Sequence, residues 1–112
     1  MKKGKIPERR LFSRKAFQTD VVFVDEFGEG LFFVKSFDIS MGGIFLASSI
    51  PVRLGTLLFL SFTLPSHRRP IKLTGEVMRI TNPHLSSFQG MGLRFVGLSE
   101  MARKRLEDFL SE

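Results

Sequence analysis

Alternating apolar and polar residues recur through most of this chain, and this alternation is typical of half-buried β-strands. In the clearest case Ile71, Leu73 and Val77 share one face, and polar residues fill the other. The phase changes at Met78, which predicts a β-bulge or a change of environment there. Five other segments, rich in β-branched and aromatic residues and bounded by Gly, Pro or polar turns, are predicted strands. Their bounds are 17–25, 31–38, 44–47, 56–64 and 89–98.

The last residues change to a helical period. Ser99 is a suitable N-cap, and Glu100 in the first turn complements the helix dipole. One apolar stripe then recurs at i, i+4, i+7 and i+8, namely Ala102, Leu106, Phe109 and Leu110. We therefore expect a mostly β fold, a small six-stranded antiparallel barrel with one C-terminal α-helix, since closing the sheet removes exposed strand edges.

Length and composition limit the class of protein. A chain of 112 residues, 43% hydrophobic and 25% charged, fits one globular domain. It has no cysteine, which excludes disulfides, thiolate chemistry and cysteine-ligated zinc. No apolar run reaches the roughly 18 residues of a membrane-spanning helix, and the N-terminus lacks the apolar stretch of a signal peptide. We expect a cytoplasmic protein without membrane insertion.

The net charge of +6 is concentrated at the N-terminus. Residues 1–15 hold seven basic residues and one acidic residue, which accounts for the whole excess. Residues 16–112 hold ten of each sign. A polynucleotide-binding domain would spread its basic residues over the fold, so no polynucleotide partner is expected.

Two short motifs carry candidate chemistry. The first is Arg10-x-x-x-Arg14, preceded by Arg9, which offers planar guanidinium groups for an anionic ligand. The second is Asp38-x-Ser40-x-x-Gly43, which offers a carboxylate, a hydroxyl and exposed backbone on a turn. Each has a simpler explanation. The arginines can be solvated surface residues, and the turn can be local chemistry in which side chains bond backbone amides and the glycine has a positive φ.

Hairpin geometry links the two motifs. The arginine pair directly precedes the first predicted strand, and Asp38 ends the second. Two antiparallel strands return the chain to where it began, so the motifs should be neighbours despite the 23 residues between Arg14 and Asp38. Together they indicate one site for a small anionic ligand that carries phosphates and hydrogen-bonding bases.

These motifs, with Gly92-x-x-Phe95 on the last strand and the terminal helix, resemble the PilZ domains that bind the bacterial second messenger cyclic di-GMP. The resemblance covers about residues 9–112. It implies a six-stranded antiparallel barrel whose N-terminal arginine loop folds over the ligand. The chain would then divide into a flexible basic arm at 1–8 and a single domain at 9–112, with a switch loop at 9–16, a barrel at 17–98 and the helix at 99–111.

The resemblance also implies roles for the motif residues in a non-catalytic receptor. Arg10 and Arg14 would bind phosphate or guanine, Asp38 and Ser40 would bond a guanine edge, and Gly43 would allow close backbone approach. Arg9 implies an intercalated ligand dimer, hence two cyclic di-GMP molecules per protomer. No other cofactor and no metal are expected.

Repulsion among the basic residues Arg9, Arg10, Arg14 and Lys15 would keep this part of the chain mobile until phosphates neutralise it. The closed arm and its ligand would then be bound by an unidentified downstream protein, with an output such as motility, pilus function or polysaccharide synthesis.

Two alternatives stay open. One is a small barrel that binds RNA or DNA through the basic arm. The other is a PilZ-like protein–protein adaptor that does not bind the nucleotide. An enzyme is the least favoured class, because the sequence has no acid–base or nucleophile constellation, and His67 and His84 are predicted loop residues.

Overall fold

A computed structural model describes residues 13–81 and 89–112, and most of these residues lie in strands. Arg9, Arg10 and His84 lie outside the described residues. The described elements, in chain order, are β1 Lys15–Ala16, β2 Asp20–Asp25, β3 Phe32–Ile39, β4 Gly43–Ala47, β5 Leu57–Phe62, β6 Ile71–Ile80, β7 Gly90–Val96 and α1 Glu100–Leu110.

Strands β2 to β7 form a closed antiparallel barrel. Hydrogen-bonded neighbours follow the order β3, β2, β5, β6, β7, β4, and β4 pairs back onto β3 to complete the ring. The predicted six-stranded antiparallel barrel with a C-terminal helix is confirmed. The two-residue β1 lies outside this ring and extends the sheet beside β3.

The first predicted strand, 17–25, begins at residue 20 in the structure, as β2. Residues 17–19 form a break between β1 and β2, and both of these strands pair with β3. The buried side chain of Ser36 on β3 bonds to the backbone on both sides of this break. Its Oγ donates to the carbonyl oxygen of Phe17 at 2.5 Å and accepts from the backbone N–H of Thr19 at 3.0 Å. This one hydroxyl satisfies two backbone groups that regular strand pairing would otherwise have bonded.

The barrel core is built by the inward residues of the strands and by the apolar stripe of the helix. On β6 the predicted inward residues Ile71, Leu73 and Val77 are buried, and the predicted bulge follows, between Val77 and Arg79. Full burial of each large aliphatic or aromatic side chain contributes roughly 1.5–3 kcal/mol. The largest buried side chains include Phe23, Ile39, Ile44, Leu46, Leu58, Leu64 and Leu106.

The C-terminal helix fixes the segment that precedes the barrel. The Ser99 hydroxyl caps α1 by accepting from the backbone N–H of Ala102 at 3.0 Å, as the sequence predicts. Near the helix end, Lys15 Nζ donates to the carbonyl oxygen of Phe109 at 3.0 Å and lies 4.3 Å from its ring centroid. The Phe17 ring packs 5.1 Å from the same ring. These contacts hold β1 against the body of the fold.

Within residues 13–81 and 89–112, no helix has both the length and the apolar character needed to cross a membrane.

Candidate functional site

A bulge in β3 turns two consecutive residues outward. The register between β3 and β4 shifts between Ser36 and Asp38, which leaves Phe37 as the extra residue. Ser36 and Ile39 on either side are buried, whereas Phe37 is exposed and Asp38 is partly exposed. Bulges commonly re-aim side chains next to functional sites. Here the bulge presents a carboxylate and an aromatic ring side by side on the outer face of the barrel.

Arg14 and the Asp38 turn are in direct contact. Arg14 Nε lies 2.6 Å from Asp38 Oδ1, and Arg14 Nη1 donates to Ser40 Oγ at 3.3 Å. The pairing of β1 with β3 makes this possible because it places Ala16 opposite Asp38. The hairpin argument from the sequence predicted that the motifs would be neighbours, and the described part of each motif confirms it.

The Arg14–Asp38 pair is open to solvent. The Arg14 side chain is 45% exposed and that of Asp38 is 24% exposed. Ion pairs in this setting contribute about 0–1 kcal/mol to stability. The pair is therefore weak enough to be exchanged for a ligand at little cost to the fold.

Ser40 organises the turn between β3 and β4. Its Oγ accepts from the backbone N–H groups of Gly42 at 3.1 Å and Gly43 at 3.3 Å, and its own N–H donates to the Gly43 carbonyl oxygen at 2.8 Å. Its side chain is buried. The local turn chemistry that the sequence offered as a simpler explanation is therefore present at Ser40, and the same hydroxyl also accepts from Arg14.

Gly43 is required by packing rather than by an unusual dihedral angle. Its φ is not among the positive values, so the positive φ that the simpler turn explanation gave this glycine is wrong. A Cβ on Gly43 would lie 1.9 Å from the Leu93 carbonyl oxygen on β7. That oxygen is part of the β7 backbone, so it cannot move aside as a flexible side chain could. Close backbone approach is thus the reason for glycine here, and the approaching group is β7.

Lys15 and Phe17 limit how far the segment before the barrel can move. The sequence predicts a mobile switch loop at 9–16 held open by repulsion among basic residues. In the structure Arg14 is paired with Asp38, and Lys15 is bonded to Phe109 and forms part of β1. Charge repulsion therefore does not determine the conformation of residues 14–16, because the Arg14 and Lys15 side chains each have a bonding partner.

A shallow depression of about 450 Å³ adjoins the contact between Arg14 and Asp38. It is lined by Ala16 of β1, by Gln18 between β1 and β2, and by Phe37 of β3, among others. Phe37 is 49% exposed, and its ring packs edge-on at 6.3 Å from that of Phe45. Sequence reasoning missed Phe37 as a site residue. The available sequence signal was the position of an aromatic residue directly before the motif carboxylate. Strict alternation would have placed these two side chains on opposite faces, and only the bulge brings both outward.

Other titratable residues of the described segments form no comparable cluster. His67 Nδ1 accepts from Arg105 Nε at 3.2 Å, so this histidine holds a loop against the helix, consistent with its predicted loop position. The described residues contain no group of three His, Cys, Asp or Glu side chains arranged to hold a metal ion.

Comparison with solved structures shows the same fold in several proteins, PilZ domains among them. The inhibitor of motility MotI/DgrA from Bacillus subtilis matches with a TM-score of 0.76 and 27% identity, over 92% of this chain. This chain spans only 50% of that protein's length. The PilZ domain of YcgR from Escherichia coli, solved with cyclic di-GMP, matches with a TM-score of 0.70 and 13% identity, over 93% of this chain and 91% of that one.

The PilZ domain of CeSA from a cellulose-synthesizing bacterium has a TM-score of 0.68 and 20% identity, over 89% of this chain and 99% of that one. A comparison with curated proteins found no significant match. The family model for the PilZ domain matches residues 8–112, almost the full length. The chain therefore belongs to the PilZ domain family.

Proposed function

We propose that this chain is a non-catalytic receptor for cyclic di-GMP, with its ligand site at the Arg14–Asp38 contact. One observation carries the proposal. Arg14, Asp38 and Ser40 form a single hydrogen-bonded cluster on the outer face of a PilZ barrel, although 23 residues separate the first two. Support for the nucleotide comes from the family and from the related YcgR domain that was solved with cyclic di-GMP.

The chemistry of the cluster fits a guanine dinucleotide. The Asp38 carboxylate can accept from the paired N1–H and N2–H groups of guanine, and the Arg14 guanidinium can donate two parallel bonds to a phosphate. The exposed ring of Phe37 lies beside them and offers a stacking surface for a base. Ser40 and Gly43 serve the site chiefly through the turn that they shape.

Binding would replace the internal ion pair. The Arg14–Asp38 ion pair contributes about 0–1 kcal/mol to the stability of the free protein, because both side chains are partly exposed. A hydrogen bond to a charged partner contributes about 1.5–3 kcal/mol. The ligand therefore outcompetes the internal pair once each side chain gains a nucleotide partner.

Arg9 and Arg10 are included in the proposed site because of their place in the sequence motif. They lie four and three residues before the described segment, which begins at residue 13, and belong to the stretch that carries the whole net charge of the chain. Neutralisation by ligand phosphates would fix this stretch against the barrel, and the combined surface of arm, ligand and barrel would be bound by a downstream protein. Arg9 is the basis for proposing two ligand molecules per protomer.

Isothermal titration with cyclic di-GMP at fixed salt tests the proposal, with cyclic di-AMP and GTP as ligand controls. We expect binding of cyclic di-GMP only, with saturation at two molecules per protomer. Saturation at one molecule would agree with a cyclic di-GMP receptor and would contradict the ligand dimer. No heat with cyclic di-GMP, together with strongly salt-dependent binding of RNA or DNA, would favour the polynucleotide alternative.

A matched pair of variants locates the site. Arg14→Ala should abolish measurable binding. Arg103→Ala should bind normally, although Arg103 is also an exposed arginine in an ion pair, with Nη1 3.4 Å from Glu107 Oε2 on the helix. Equal affinity in the two variants would place the ligand somewhere other than the Arg14–Asp38 contact.

A further inference from the structure

A second surface of the barrel, away from the Arg14–Asp38 contact, exposes large apolar side chains. Phe27, Leu31, Phe33 and Phe59 are 69%, 60%, 71% and 45% exposed. Single exposed apolar residues are normal on protein surfaces, whereas a contiguous group requires an explanation. We call these four side chains, with the half-buried Val22 and Val24, the hairpin patch.

Strand register shows that the strand residues of the hairpin patch are contiguous, and Phe27 lies in the β2–β3 turn at their end. Phe33 on β3 lies directly opposite Val22 on β2, and Val24 on β2 lies directly opposite Phe59 on β5. Directly paired residues point to the same face of a sheet and contact each other. Leu31 lines one depression together with Val22, Val24 and Phe59. The patch therefore covers the outer face of three adjacent strands near the β2–β3 turn.

The size of the patch suits a weak protein interface. A large side chain presents about 200 Å², so the four most exposed residues offer on the order of 500 Å². Patches of roughly 300–600 Å² on a monomer are often functional, and two such faces would bury about 1,000 Å², at the low end for a specific complex. The patch begins about 16 Å along β3 from Asp38, since Phe33 precedes it by five residues.

Charges of opposite sign border the hairpin patch on two sides. The turn between β2 and β3 carries Asp25, Glu26 and Glu29. Lys72 borders the patch on its β6 side, since it pairs with Ser61 on β5, which in turn pairs with Val22, and it lines the same depression as Leu31. Among the described residues, no ion pair involves the side chain of Glu29 or of Lys72. The patch is therefore acidic at its turn end and has an unpaired basic residue at its β6 side.

We propose that the hairpin patch is a homodimer interface occupied by a second copy of this chain. A two-fold axis that lies in the interface, midway between Glu29 and Lys72 and perpendicular to the line joining them, exchanges these two borders of the patch. It thus brings the acidic turn of one copy to the β6 side of the other. Each Glu29 then faces a Lys72 from the other copy, twice per dimer, around a core of aromatic side chains. A negatively charged lipid surface is a poorer occupant, because it would repel the three acids of the turn.

Sedimentation equilibrium of the nucleotide-free protein tests the interface, over roughly 5–500 µM at about 0.15 M salt. We expect a reversible monomer–dimer equilibrium within that range. Phe33→Glu should abolish the dimer. Met101→Glu should leave it unchanged, since Met101 is an equally exposed apolar residue on α1, outside the patch. A wild-type monomer throughout, or equal effects of the two substitutions, would overturn the proposal.

Charge reversal tests the orientation of the two copies. Glu29→Lys and Lys72→Glu should each weaken the dimer about fivefold or more, since two opposite-charge contacts become like-charge contacts. The double variant should recover most of the wild-type affinity. Failure of the double variant to recover would overturn the arrangement. Co-sedimentation with phosphatidylcholine or phosphatidylglycerol vesicles tests a lipid surface as the occupant of the patch. Vesicle binding by a strictly monomeric protein would contradict the dimer. Because these measurements omit nucleotide, their outcome is independent of whether cyclic di-GMP binds.

Discussion

Replacement of Asp38 by asparagine separates the ligand role of this carboxylate from its structural role. Asp38→Asn keeps the size and shape of the side chain and removes its charge. The Arg14 Nε contact at 2.6 Å loses its charge assistance, but a carbonyl oxygen remains to accept it. Since the pair is exposed, the free energy of unfolding should fall by no more than about 1 kcal/mol.

The effect on ligand affinity should be larger than the effect on stability. Loss of a charged acceptor for guanine weakens binding by about 1.5–3 kcal/mol. Loss of charge on the internal partner of Arg14 returns up to about 1 kcal/mol, since the ligand then replaces a weaker contact. With that full return the net loss is about 0.5–2 kcal/mol, which corresponds to roughly 2- to 30-fold weaker binding.

Calorimetric titration with cyclic di-GMP, paired with thermal unfolding, measures both quantities. Glu76→Gln is the matched control, because Glu76 forms the comparable exposed ion pair with Arg94 on the barrel. The control should show a similar small change in melting temperature and unchanged affinity. If Asp38→Asn binds as tightly as wild type, or if Glu76→Gln weakens binding equally, Asp38 does not contact the ligand.

Two further substitutions test the framework of the site. Gly43→Ala should destabilise the fold by about 1–3 kcal/mol, because the added Cβ would lie 1.9 Å from a β7 carbonyl oxygen. Gly92→Ala, whose Cβ would meet only ordinary contacts, should unfold at nearly the wild-type temperature, and equal losses in the two variants would contradict the packing argument. Ser36→Ala should cost about 1–3 kcal/mol in denaturant unfolding, because it leaves two backbone groups at the β1–β2 break without their hydrogen bonds. It should also weaken cyclic di-GMP binding, since the break positions Arg14; normal affinity in a folded Ser36→Ala protein would show that it does not.

The regular part of the fold was predictable from the sequence. Alternation and turn residues located the barrel strands to within about three residues, and the stripe from Ala102 to Phe109 located the helix. Hairpin geometry correctly brought Arg14 to Asp38. These features follow from local periodicity and from simple strand reversal, which one sequence is enough to show.

The departures from regularity were not predictable in the same way. The break at residues 17–19 keeps the alternation of the strand, so only the three-dimensional contact with Ser36 reveals it. The bulge at Phe37 depends on the register of a partner strand. The steric need for Gly43 arises from Leu93, fifty residues later in the chain, and no local pattern reports it. Each of these depends on a long-range contact between backbones.

Amide chemical shifts during a cyclic di-GMP titration test the central claim most directly. In a ¹⁵N–¹H correlation spectrum we expect the largest changes at the amides of Ala16, Asp38, Gly42 and Gly43, which surround the Arg14 contact. Residues of the hairpin patch such as Phe33 should change little. Shifts confined to another part of the barrel, or no shifts at saturating nucleotide, would contradict a cyclic di-GMP site at Arg14 and Asp38.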